Sequence, residues 1–512
     1  MLKKRSIFII LILILGLLLR IFRFSDTLQL DADQAMAYIL ADRIINQKHF
    51  LMVGPIISVE NVNILAPTYY YLIAFLYFIF RNELSISLIF LFINLLGIYL
   101  IYLTSKQIVN TKSSLLGALF FSLSSTMVNY SRNIWEPHLI PFFVILSIFL
   151  LILAYKSNNT IYLFLSVFTF YISLMYISSL LLLPVFFYLT FIIARKIDRK
   201  SALIKTFLIY FFTTILFYIN LIIFEYHNGF SSIKVILKTF NIYFVSSPVR
   251  WIFLKSVFNN FIRFSESIIN SDFNSLLIFF LLVFILPFLG QQKYIKNQTV
   301  LKIISFSMIF SLFLSGIYKR KSYPYRYASI YPIFFVLLGF AIYKLTLIRK
   351  KGLILKIGWI YPILFLIYFV FSNMYQYKIN LTNEHLFNYK QIDKYTDKII
   401  FESNNRQFNT YVIRYKGSPK IEHKNYELTP FAWMLEKKLN KKLFNLNKYG
   451  NWLEQGFIFN KPVLMLVCLD FDSEVYKNCY RYLIKKEKLT GINYEMSTLD
   501  KMTLFKIAKK SF

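Results

Sequence analysis

With 512 residues, 57% of them hydrophobic and 19% aromatic, and a mean hydropathy of +0.54, the chain is too apolar to cover itself as a soluble protein. A formal net charge of +33 would suggest nucleic acid in a soluble chain, but here Lys and Arg are spread over short loops, which excludes nucleic acid as a partner and points to membrane lipids. Two cysteines, Cys468 and Cys479, give neither a disulfide framework nor a metal spacing.

In chain order, Met1-Leu2-Lys3-Lys4-Arg5 and the apolar run Ile7 to Leu19 resemble a signal peptide, but no small-x-small cleavage site follows. The segment is therefore read as an uncleaved first span, 5–24, with its amino end in the cytoplasm. Further apolar segments of spanning length lie at 85–104, 114–130, 138–155, 159–177, 180–194, 203–224, 275–290, 300–317, 327–345 and 353–372, giving about eleven spans. Leu65 to Phe80 is ambiguous, being about sixteen residues long with Pro67 near its start. Counting it as a span would put Arg195-Lys196-Ile197-Asp198-Arg199-Lys200 and Arg349-Lys350-Lys351 outside. Reading it as an interfacial or re-entrant helix puts both clusters in the cytoplasm, as the positive-inside rule favours.

That topology exposes on the external face a first loop 25–84, a turn at 131–137, a loop at 225–274, a turn at 318–326 and the carboxyl-terminal tail. The tail is hydrophilic, with strand-like runs at Thr410 to Arg414 and Pro462 to Leu469 and a helical stretch at Phe431 to Leu439. The expected architecture is an all-α polytopic membrane domain over 1–374, with juxtamembrane helices, and a small external α/β domain over 375–512. The cell membrane is the expected location.

Three polar groups fall on the expected outer face. Asp31 and Asp33 follow the first span, where carboxylates are costly to desolvate; Asp33 opens an amphipathic run, Ala35 to Leu40. A general base taking a proton from an acceptor hydroxyl suits Asp33, with helix capping as the rival reading. The second group is Ser131-Arg132-Asn133-Ile134-Trp135-Glu136-Pro137-His138. In it Trp135 would also serve as a belt anchor, Pro137 as a first-turn proline and Glu136 as a cap. The third is Tyr318-Lys319-Arg320-Lys321-Ser322-Tyr323-Pro324-Tyr325-Arg326-Tyr327, four cations and four tyrosines on the side the inside rule depletes. An anionic ligand explains them, Arg offering a planar fork and Tyr a hydroxyl; binding of bulk anionic head groups is the rival.

Carboxylates and phosphate-type cations on one face suggest transfer of a group from a lipid phosphate, the cations stabilising charge on the leaving phosphate. Arg alone can do this, so no cofactor or metal is required, although the Asp-x-Asp spacing leaves room for a divalent ion.

These segments resemble the GT-C class of integral-membrane glycosyltransferases, and more narrowly bacterial relatives of the dolichyl-phosphate-mannose–protein mannosyltransferases and of the aminoarabinose transferase that modifies lipid A. The acidic motif after the first span, often Asp-Glu, is Asp33-Gln34 here, which throws weight on Asp33. Pro67-Thr68-Tyr69-Tyr70-Tyr71, the Ser131 to Pro137 turn, and Arg326-Tyr327 before Pro332 are family-like, and the resemblance covers roughly residues 1–350. It implies a polyprenyl-phosphate sugar donor, inversion at the anomeric carbon, and a glycan, lipid or protein acceptor met on the external face. The expected site has Asp33 as base with Asp31 and Glu136 in support; Arg132, Arg326, Lys321 and Tyr327 at the donor phosphate; and Tyr69, Tyr70, Trp135 and His138 lining the donor and acceptor cavity. A transporter or flippase would favour mid-span charges and an internal repeat, whereas here the charges sit at span ends. A polymerase of lipid-linked saccharides, relying on large Arg-rich external loops, is the nearer rival.

Overall fold

The computed structural model describes residues 2–54, 65–180, 182–235, 237, 249–269, 283, 297–315, 323–347, 360–382, 388–402, 409–413, 429–440, 463–469, 494–499 and 502–508. The expected span at 275–290 and Lys321 lie outside these residues. Contacts divide the chain into two compact units: one of residues 1–24, 51–72 and 80–383, the other of 25–50, 73–79 and 384–512.

The first unit is a helical membrane bundle. It contains α1 (Leu2–Ile21), α5 (Glu83–Ile108), α6 (Thr111–Leu123), α7 (Ser125–Tyr130), α8 (Glu136–Ser157), α9 (Thr160–Ser173), α10 (Ile177–Leu180), α11 (Leu183–Ile197) and α12 (Ala202–His227). After these come α13 (Val249–Ile269), α14 (Gln298–Leu314), a 3-10 turn at Pro324–Tyr327, α15 (Tyr331–Leu347) and α16 (Ile360–Thr382). The helices α5, α8 and α12 are long and apolar enough to cross a membrane, and shorter apolar helices accompany them. Along α12, Leu203, Phe207, Phe211 and Leu216 are exposed, as lipid-facing side chains of a multi-pass protein are. By contrast, every residue of α15 from Tyr331 to Ile342 is buried, the pattern of a helix surrounded by others. Its Gly339 faces Gly117 of α6 so closely that a Cβ on Gly339 would lie 2.5 Å from the Ser113 carbonyl oxygen. Small residues there let two backbones touch where lipid supplies no hydrophobic drive.

Two expectations need correction. The span expected at 114–130 is two helices broken at Ser124, because Asn373 of α16 accepts from the Ser125 amide at 2.7 Å and donates to the Ile268 and Phe369 carbonyls. A buried Asn side chain supplies the partners that a helix break removes. The stretch 225–274, expected as a loop, contains the 21-residue α13. Its Phe253, Ser256, Asn260, Phe264 and Ser267 recur at helical spacing and were masked by flanking polar residues. Leu65 to Phe80, ambiguous in the sequence, yields α4 (Thr68–Phe80), whose 13 residues span about 20 Å and fall short of a ~30 Å hydrocarbon layer, in keeping with the reading that it is not a span.

The second unit joins the early helices α2 (Phe24–Thr27, from Ser25 on) and α3 (Ala32–Gln47), and residues 73–79 of α4, to the carboxyl-terminal elements. Those are α17 (Tyr389–Glu402), β1 (Asn409–Ile413), α18 (Thr429–Leu439), β2 (Val463–Leu469), β3 (Tyr494–Leu499) and β4 (Met502–Ala508). The sheet order is β1-β2-β4-β3, with β1 parallel to β2 and the other pairs antiparallel. Val463 to Leu469 is uninterruptedly apolar, as befits a strand paired on both edges. The expected strands and helix fall on β1, β2 and α18; α17, β3 and β4 are additions.

Candidate functional site

In the first unit, the turn after α7 and the start of α8 hold the second polar group. Trp135 is the extended residue before the helix, Glu136 its first residue and Pro137 the next, where proline loses no hydrogen bond. Glu136 is buried at this positive helix end. His138 Nδ1 donates to the Asn133 carbonyl at 2.8 Å, which puts its proton on that nitrogen. Its ring stacks on Tyr130 at 4.4 Å and meets Trp135 edge-on at 5.4 Å. Arg132 is buried; its Nη2 donates to the Leu19 and Phe22 carbonyls, at 2.9 and 2.6 Å, and to the Tyr377 hydroxyl at 2.9 Å. Its guanidinium therefore caps the negative carboxyl-terminal end of α1. Burial pulls its pKa down, and Tyr377 opposes the shift.

The third polar group packs on the second. The Tyr325 ring meets Trp135 at 4.7 Å and Tyr176 at 5.8 Å, both edge-on, and stacks on exposed Tyr323 at 5.4 Å. Segments some 190 residues apart in sequence thus form one aromatic cluster, with half-buried Arg326 in the turn beside it. Pro324 sets that turn, and the Arg326 amide closes it onto the Tyr323 carbonyl at 3.0 Å. The Tyr327 hydroxyl, expected at a donor phosphate, lies within the protein and donates to Asn260 Oδ1 at 3.4 Å. Asn260 in turn donates to the Ser315 carbonyl at 2.8 Å. The Tyr331 hydroxyl shares its one proton between Ser267 Oγ and the Pro324 carbonyl, each 2.9 Å away. Asn260 and Ser267 sit on α13 and supply this scaffolding; sequence reasoning passed over both with the helix itself.

Tyr69 and Tyr70 open α4 with rings 5.6 Å apart, Tyr69 buried and Tyr70 half-buried. The neighbouring Tyr71 hydroxyl fastens Leu51, accepting from its amide at 3.0 Å and donating to its carbonyl at 3.1 Å. Also overlooked was Arg20, fully buried near the end of α1. Its Nη1 donates to the Gly16 and Ser122 carbonyls at 3.0 and 3.1 Å, while Nε and Nη2 have no partner. Its only sequence signal is a cation inside an apolar run.

In the second unit, Asp31 and Asp33 divide the roles weighed for them. Asp31 is the residue before α3: its carbonyl accepts from the Ala35 amide at 2.9 Å, and its amide donates to Gln34 Oε1 at 2.9 Å. This is the Gln half of a capping box. Asp33 is the second residue of the helix, half-buried in the first turn at the positive end of the helix dipole. Capping thus falls to the Asp31–Gln34 pair. Among the described residues, no three His, Cys, Asp or Glu side chains converge in a way that could hold a metal ion.

Residues 65–223, under a third of the chain, match the family described as dolichyl-phosphate-mannose-protein mannosyltransferase. No curated protein sequence matches the chain. ArnT from Cupriavidus metallidurans bound to undecaprenyl phosphate shares the fold with a TM-score of 0.59 over 99% of this chain and 98% of that one, at 9% identity. Its apo form gives 0.58 over 98% and 97%, also at 9% identity. The Archaeoglobus fulgidus oligosaccharyltransferase in complex with Zn and sulfate gives 0.50 at 13% identity, over 98% of this chain and 73% of that one. Over residues 65–223 the chain is thus similar in sequence to the mannosyltransferase family, and along 99% of its length it is similar in fold to ArnT.

Proposed function

We propose that the chain transfers a sugar from a polyprenyl-phosphate donor to an acceptor hydroxyl on the external face of the cell membrane, with its amino terminus in the cytoplasm and its carboxyl-terminal domain outside. Asp33 takes the acceptor proton, the acceptor oxygen attacks the anomeric carbon from the side opposite the phosphate, and the carbon–oxygen bond to phosphate breaks with inversion. Arg326, with Lys321, stabilises the charge gathering on the departing polyprenyl phosphate. Asp31 and Glu136 support the base, Arg132 and Tyr327, turned inward, hold the scaffold behind the Arg326 turn, and Tyr69, Tyr70, Trp135 and His138 line the cavity that receives donor and acceptor.

The observation that carries this reading is the packing of Trp135 on Tyr325 at 4.7 Å, which gathers the Arg132–Glu136 turn and the Arg326 turn at one place in the bundle. A guanidinium, a carboxylate and aromatic rings on adjoining turns suit a sugar phosphate better than bulk head groups. The ArnT that shares the fold binds undecaprenyl phosphate, which supports a carrier of that class.

The test uses membranes from the host strain, supplied with radiolabelled sugar nucleotides to charge the lipid-linked donors, and reads the label whose incorporation depends on the wild-type chain. Asp33→Asn is expected to lower that rate by about 10²–10⁴-fold at normal expression. Near-normal incorporation by Asp33→Asn overturns the assignment.

A further inference from the structure

The second unit fastens α3 at both ends of the stretch carrying Asp31 and Asp33, and residues beyond 384 do the fastening. Ahead of the helix, the Tyr389 amide donates to the Leu28 carbonyl at 2.8 Å and Gln29 pairs with Asn388 as an antiparallel bridge. The Asn388 side-chain amide donates to the Asp26 carbonyl, and Lys390 Nζ lies 3.2 Å from Asp26 Oδ1. Along the helix, Tyr38 stacks on Trp433 of α18 at 5.8 Å, and Tyr77 of α4 closes the trio, 5.7 Å from Trp433 and 6.0 Å from Tyr38. Near its end, Arg43 Nη2 donates to both carboxylate oxygens of Glu436, at 3.1 and 2.8 Å, with both side chains about 92% buried.

A buried, two-oxygen ion pair is costly to form unless its geometry is held, and residues 393 apart in sequence do not meet by local preference. A 16-residue helix carrying Asp33, Asp42 and Arg43 needs no such pair for solubility. It gains from one a fixed axial position and rotation. Asp33 stands ten residues, about 15 Å of helix, from Arg43, so a slide or turn of α3 at Arg43 is carried rigidly to Asp33.

We infer that Arg43 and Glu436 are positioning residues: the carboxyl-terminal region holds α3 through this pair and Trp433, and thereby sets where the Asp33 carboxylate stands. The inference rests on the proposed role of Asp33. It makes the tail a working part of the transferase, independent of any acceptor it binds.

The experiment compares full-length Glu436→Gln, Arg43→Gln and the exchanged double variant Arg43→Glu/Glu436→Arg with wild type and Asp33→Asn, by two readouts. Hydrogen exchange of the purified protein in detergent reports on residues 26–47. Expected is faster exchange there in both single variants and recovery in the exchanged pair. Label incorporation in host membranes is expected to show a maximal rate lowered up to about a hundredfold in the single variants, as misplacement far from the chemistry can cause. The half-saturating concentration of the charged lipid-linked donor is expected to stay within about threefold of wild type, and the exchanged pair to regain most of the rate. Wild-type exchange over 26–47 in the single variants overturns the inference, as does normal incorporation by them while Asp33→Asn is inactive. Active Asp33→Asn with altered exchange sinks the catalytic reading and leaves the fastening standing without its catalytic purpose. Should Glu436→Gln fail to fold, the inference falls to the exchanged pair: rescue of folding without rescue of rate overturns it.

Discussion

Asp31, Asp33 and Gln34 occupy four consecutive positions with Ala32, yet the helix start gives each a different task. Asp31 lies at the cap position and Gln34 closes back on its amide, so the residue that departs from the family's Asp-Glu pattern is structurally employed. A capping box accepts Gln or Glu equally, whereas Ala cannot return the bond. Gln34→Glu is therefore expected to melt with wild type, and Gln34→Ala to lose about 1 kcal/mol, read as a lower thermal midpoint in detergent. Arg132 and Arg20 teach a related lesson: both are cations at the edge of apolar runs, and both turn inward to carbonyls of helix ends. Sequence position alone aimed Arg132 at a ligand and passed over Arg20.

Among the elements, α15 and the broken pair α6 and α7 carry the architecture that presents the Arg326 turn. The Gly117–Gly339 contact leaves no room for a side chain: a Cβ on Gly339 would stand 2.8 Å from the Gly117 Cα and 2.5 Å from its nitrogen. These are backbone atoms, so relief requires moving a helix. Gly339→Ala is expected to cost about 1–3 kcal/mol, checked by thermal unfolding in detergent and by the yield of folded protein. A lone glycine in an apolar run is unremarkable by pattern; only its partner helix makes it obligatory. The same holds for α13, whose polar residues at Asn260 and Ser267 read as loop until Tyr327 and Tyr331 are seen to use them.

For the whole molecule, the proposed sidedness makes a direct demand. In a chain with Cys468 and Cys479 replaced, a cysteine at Tyr323 is expected to react with an impermeant maleimide on intact cells. One at Arg199 is expected to react only after permeabilisation. Both positions are exposed to such a reagent. Labelling of both from outside would break the topology and the external site with it. The division into two units is equally a property of the whole: residues 25–50 and 73–79 belong with 384–512, a grouping that no linear boundary expresses.

Hydropathy and charge are local properties, written within a window of some twenty residues, and they suffice for what is local. From them alone follow the membrane class, the run of apolar helices, the short α4, the acid placed just past the first span, and the strands β1 and β2. Tertiary structure decided the rest: the break at Ser124, the meeting of Trp135 with Tyr325, the inward turn of Arg132 and Tyr327, and the pairing of Arg43 with Glu436. Each of these joins residues far apart in the chain, where a buried polar group takes whichever partner the packing of whole helices brings within about 3 Å, and no periodicity in either segment records that choice.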